Sequence, residues 1–91
     1  MSFPKILDGA RVLYFTQQGP YGMIQYTTGE LADFICCLAI GKYDDGESYY
    51  LFGCNADYEV VSDLPLGSIE ECMHVANESY DCDILWIAVD Q

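Results

Sequence analysis

Three observations predict an α+β fold, a curved antiparallel β-meander of about five to six strands with one amphipathic helix packed on one face. Short segments rich in β-branched and aromatic residues alternate with turn residues through the first two thirds of the chain. One later stretch, about Ser68 to Tyr80, switches to a 3.6-residue apolar repeat. The length, 91 residues, suits one domain spanning 1–91, and 52% hydrophobic residues supply a core despite a net charge of -12.

Arg11-Val12-Leu13-Tyr14-Phe15-Thr16 reads as a first strand, punctuated by the turn signal Gly19-Pro20. Met23 to Thr27 is a second strand, closed by Thr28-Gly29-Glu30. Leu31 to Phe34 reads as a short helical turn or a loop, and the apolar run Ile35 to Ile40 as a buried strand. Asp44-Asp45-Gly46-Glu47 is the clearest turn, since Asp-Gly suits the positive-φ positions of a tight hairpin. Ser48 to Cys54 returns as the partner strand, Asn55-Ala56-Asp57 turns again, and Tyr58 to Asp63 is the next strand. Short turns between consecutive strands give the meander. Ser68 and Glu71 form a capping box, and Ile69, Cys72, Met73, Ala76 and Tyr80 make one apolar stripe. Ile84 to Val89, too short for a typical helix, reads as a last strand.

Composition excludes several functions. Fifteen Asp and Glu against three Lys and Arg cannot release counterions from nucleic acid or hold an anionic membrane surface. No apolar run approaches the roughly 18 residues of a membrane span, and Met1 to Lys5 leads to Asp8 and Arg11 without an apolar export segment, so the expected compartment is the cytoplasm. Five cysteines, an odd number with no CxxC, read as buried reduced thiols. Cys54, Cys72, His74 and Cys82 match no zinc spacing.

No catalytic set stands out, so the expectation is a non-enzyme without cofactor or metal. His74, the only histidine, lies beside the helical stripe with no partner in view. No serine sits in a GxSxG elbow, and neither GxxxxGK[ST] nor GxGxxG occurs. Asp81-Cys82-Asp83 offers calcium-like spacing over two positions only.

The carboxylates are unevenly placed. From Tyr43 to Gln91 twelve acids occur and no Lys or Arg. A solvated acidic surface explains solubility. A face of one sign also attracts a cationic partner over long range. Tyr43, Tyr49, Tyr50 and Tyr58 lie among these acids, and Tyr is enriched at interface hot spots. The candidate partner-binding residues are therefore Asp44, Asp45, Glu47, Asp57, Glu59 and Asp63, with Tyr49 and Tyr58 as anchors.

The unit Tyr49-Tyr50-Leu51-Phe52-Gly53-Cys54-Asn55-Ala56-Asp57-Tyr58-Glu59-Val60-Val61-Ser62-Asp63 contains a YLFxCxxDxxVxxD-like stretch. With Arg11-Val12-Leu13-Tyr14 before it and Ser68 to Cys72 after it, the chain resembles small acidic bacterial immunity proteins, which neutralise polymorphic or contact-dependent toxins. The resemblance covers most of the chain and departs at Ile84 to Val89. It implies a cytoplasmic inhibitor of a basic toxin domain, such as a nuclease. The alternatives are a non-enzymatic acidic adaptor and, from another class, a small carboxylate-based metal-binding protein or enzyme. A homodimer is also allowed, by sheet extension through an exposed edge strand such as Arg11 to Thr16.

Overall fold

A computed structural model describes residues 3–25, 28–29, 31–80 and 84–89. The elements in chain order are β1 (Ile6–Leu7), β2 (Ala10–Phe15), β3 (Gly22–Gln25), β4 (Leu31–Ile35), β5 (Cys37–Lys42), β6 (Tyr49–Cys54), β7 (Val60–Leu66), α1 (Ile69–Ser79) and β8 (Ile87–Ala88). The main antiparallel sheet runs β1-β2-β5-β6-β7, with β8 also on β2, and β3 and β4 pair as a separate ribbon. The single helix lies on this curled sheet, as its apolar stripe requires.

The bend that separates the ribbon from the sheet explains the strand order. The chain does not reverse at Gly19-Pro20. Gly19 N–H donates to Cys36 O and Tyr21 N–H to Ile35 O, so residues 16–21 stay beside residues 35–38. Proline, with no N–H to give, sits between those two donors. β2 and β3 are thus one bent arm, and β4 and β5, separated only by Cys36, are the other. This places β2 against β5, while β1–β2, β3–β4, β5–β6 and β6–β7 are neighbours in sequence. Leu31 to Phe34, read as a helical turn or a loop, is strand β4.

The turns also differ in kind from expectation. Asp8 (φ 54°) and Gly9 (φ 87°) form the tight two-residue connection between β1 and β2, closed by the Leu7–Ala10 pair. Positive φ at both positions is the combination that matches the right-handed twist of a hairpin. The Asp44-Asp45-Gly46 turn is looser: Gly46 N–H donates to Tyr43 O at 3.2 Å, Gly46 is not in the left-handed region, and the Lys42–Tyr49 pair closes the loop. Gly46 there fills the last position of an ordinary turn. Tyr58 does not begin a strand. It adopts φ 63°, and β7 starts at Val60 and runs on through Pro65. β7 is a sheet edge, where strands accommodate proline.

Two apolar layers sandwich the sheet. On the helix side Ile35, Leu38, Ile40 and Leu51 pack with Cys72 and Ala76, flanked by Ile69, Met73 and Tyr80. On the other side Val12, Cys37, Ala39, Phe52 and Cys54 form a second layer. Phe3, Tyr43, Tyr50 and Tyr58 cover it in place of a helix. Phe3 stacks on Phe15 with centroids 4.7 Å apart and meets the edge of Tyr58 at 5.1 Å. Alternate residues of each strand serve opposite layers, so the β5 and β6 sequences read as continuous apolar runs.

The helix begins where Ser68 Oγ accepts from Glu71 N–H at 3.1 Å. Cys72 and Ala76, at the centre of the stripe, have no solvent exposure. The last strand shrinks to Ile87–Ala88, paired with Phe15 and Tyr14. Because β1 and β8 both lie on β2, Arg11 to Thr16 is not a free edge, and sheet extension there is closed. Among the described strands, β7 bounds one side of this sheet, and β1 and β8 bound the other. No helix among the described residues is long and apolar enough to cross a membrane.

Candidate functional site

Seven of the eight expected partner-binding residues fall into two groups at opposite ends of β6. Asp44, Asp45 and Glu47 lie in the loop before it, near Tyr49, and Asp57, Tyr58 and Glu59 lie in the loop after it. The six residues of β6 separate the groups by about 17 Å. The two tyrosine anchors also face opposite ways: Tyr49 packs with the helix-side layer and Tyr58 with the other. Asp63 is on the exposed edge strand, paired with Phe52. It lies between the two ends, and its charge, after burial and the charges of Asp8 and Tyr50, adds to the raised pKa of the Tyr43 phenol.

The two ends differ in electrostatics. Arg11 and Lys42 are directly paired across β2 and β5, beside the Asp44 loop. Arg11 Nη2 lies 3.9 Å from Asp44 Oδ1, and Lys42 Nζ sits 5.9 Å from the Tyr49 ring centroid. Both groups of the ion pair are largely solvated, so its energy is small. Its location still matters, because it sets positive charge among the Asp44, Asp45 and Glu47 carboxylates.

The other end is organised by Asn55. Its Oδ1 accepts from the N–H groups of Asp57 and Glu59, each at 3.0 Å. Its Nδ2 donates to Asp33 Oδ2 at 3.1 Å and to Glu59 Oε1 at 3.0 Å. One amide therefore folds the loop and holds two carboxylates beside each other. Asp33 Oδ1 accepts from Phe34 N–H, and Gln18 Nε2 donates to Ala56 O, tying the bent β2–β3 arm to this loop. Next to it opens a groove of about 660 Å³ between residues 18–22 and 34–36. Pro20, Tyr21, Phe34 and Ile35 give it an apolar lining. Asp33, Phe34 and Asn55 were not among the expected site residues. An Asx-type turn was legible in Asn55-Ala56-Asp57, but the approach of Asp33 depends on the bend at Cys36.

Other chemistry-bearing groups are His74 and the cysteines. His74 is exposed and reaches Glu78 on the next turn at 2.9 Å. Cys37, Cys54 and Cys72 are fully buried free thiols, and Cys36 is half-buried. Cys37 and Cys54 are directly paired across β5 and β6. Hydrogen bonding with Cys54 lowers the Cys37 pKa, and the same contact with burial raises that of Cys54. No group of three or more metal-ligating side chains gathers among the described residues, and Asp81, Cys82 and Asp83 lie outside them. Comparison with protein-family models, curated proteins and solved structures gives no match.

Proposed function

We propose that this chain is a cytoplasmic inhibitor of the immunity-protein kind, which neutralises a basic bacterial toxin domain by masking it sterically and electrostatically. The observation that carries the reading is the solvation of the C-terminal half's acids. Asp44, Asp45, Glu47, Asp57, Glu59, Asp63, Glu70, Glu71 and Glu78 are all exposed, and the only Lys or Arg ion pair among the described residues is Arg11 with Asp44. A surface meant only to stay soluble gains from mixed signs. One that leaves its carboxylates unpaired keeps their field for a cationic partner and speeds association. A toxin domain that handles nucleic acid is basic for the same reason.

The test is expression of the product of the adjacent upstream gene in a bacterial host, alone and with this chain. The expected outcome is growth arrest relieved by co-expression, with a complex whose affinity falls as salt rises. A harmless neighbour that still binds supports an acidic adaptor. A neighbour that arrests growth whether or not this chain is present counts against inhibition.

A further inference from the structure

We infer that the groove beside Phe34 seats the basic partner, taking one large apolar side chain while Asp33, Asp57 and Glu59 receive the Lys or Arg residues that flank it. The inference rests on the cationic-partner reading above and gives it a place on the molecule.

Phe34 is 52% exposed on the wall of the 660 Å³ opening. Among the described residues, the large hydrophobic side chains left exposed are Ile6, Phe34, Leu64 and Leu85, and of these Phe34 is the one aromatic and the one that lines this groove. A solvated aromatic beside a concave apolar surface has the composition of an interface core awaiting its complement.

The rim supplies the polar part. Asn55 holds the Asp33 and Glu59 carboxylates on one amide, and Asp57 is exposed in the same loop. The three cationic side chains, Lys5, Arg11 and Lys42, are elsewhere. Arg11 is paired with Lys42, and Lys5 lies beside Val12, whose N–H donates to the Lys5 carbonyl. From Cys37, at the groove end of β5, to Lys42 is five strand steps, about 17 Å. That is twice the roughly 8 Å screening length at physiological ionic strength. Arg11 and Lys42 therefore temper the field of the Asp44 loop more than that of the Asn55 end. A second copy of this chain carries the same -12 and meets like charge at this rim.

The probes are three labelled peptides: one alternating Lys and Leu around a central Trp, one with Ser at its apolar positions, and one with Glu at its Lys positions. Binding is read by fluorescence anisotropy at low and moderate salt, and located by amide NMR shifts. The Lys–Leu peptide is expected to bind at least about tenfold more tightly than either control. Shifts should centre on Gly19, Gly22, Ile35 and Cys36. Phe34→Ser and the pair Asp57→Asn with Glu59→Gln are each expected to weaken binding about tenfold. The glutamine amide in Glu59→Gln keeps an acceptor for Asn55, so that pair tests charge without dismantling the loop. The set Asp44→Asn, Asp45→Asn and Glu47→Gln is expected to change affinity less than about twofold. If that set alone weakens binding, or the shifts centre on residues 43–48, the groove assignment falls and the cationic-partner reading survives. If the wild-type chain binds no peptide, or binds the Glu peptide equally well, both fall. Self-association of the free chain, lost in Phe34→Ser by sedimentation, would assign the groove to a second copy and overturn the proposal.

Discussion

Asn55 carries more local structure than any other polar residue in the described chain. Its amide closes the β6–β7 loop, supports the positive φ of Tyr58, and neutralises the approach of Asp33 to Glu59. Asn55→Asp removes both donors and adds a third carboxylate, so two like-charge contacts replace two hydrogen bonds. It should cost about 1–3 kcal/mol, and less at high salt, which screens the new like-charge contacts. Urea denaturation of both chains at low and high salt measures this; an equal loss at both would deny the charge component. Other single residues illustrate what local sequence hides. Gly41 reads as an ordinary glycine after an apolar run, yet an added Cβ would meet the Phe52 ring at 2.9 Å and Arg11 O at 3.0 Å. Only the packing of β2 and β6 around it reveals the close approach.

The helix was the most legible element, since its signals are all local. Ser68 supplies the cap, Glu70 and Glu71 complement the positive end of the helix dipole, and the stripe buries at Cys72 and Ala76. Burial also gives the helix a pH signature. The Cys72 thiol is pushed up from 9.0 to about 11, first by burial and then by the Glu71 charge. The folded chain thus holds this proton more tightly than the unfolded chain. The stabilisation is complete below pH 9 and is lost as pH rises towards 11. A shift of that size corresponds to at most about 3 kcal/mol. Melting curves from pH 8 to 11 should fall more steeply for the wild type than for Cys72→Ala; parallel curves would remove Cys72 as the cause. Strands were legible as apolar runs, but their partners were not. Gly19-Pro20 looks locally like a reversal. The ladder to Cys36 and Ile35 makes it a bend, and strand β1 escaped notice although Asp8-Gly9 marks its hairpin.

At the scale of the whole molecule the dominant quantity is the net charge, -12 on a body of 38 × 28 × 24 Å. At 10 mM salt the screening length is about 30 Å, so every carboxylate repels nearly every other; at 0.15 M it is about 8 Å and only neighbours interact. Raising salt from 10 to 150 mM should therefore lift the melting temperature by about 4–8 °C, the equivalent of roughly 1 kcal/mol for a domain of this size. A flat melting temperature across that range would mean that the unfolded chain is repelled as strongly as the folded one. By itself the sequence determined the class of fold, the helix with its cap and buried stripe, the acidic surface, and the buried state of most cysteines. Each follows from the period, type and charge of residues close together in the chain. The tertiary structure alone decided that β2 meets β5, that most of the named carboxylates divide between two ends, and that Arg11 and Lys42 temper one of them. It also brought Asp33 to Asn55 and left Phe34 beside a groove. These depend on contacts between distant residues, set by a bend and by strand register, and no local pattern encodes either.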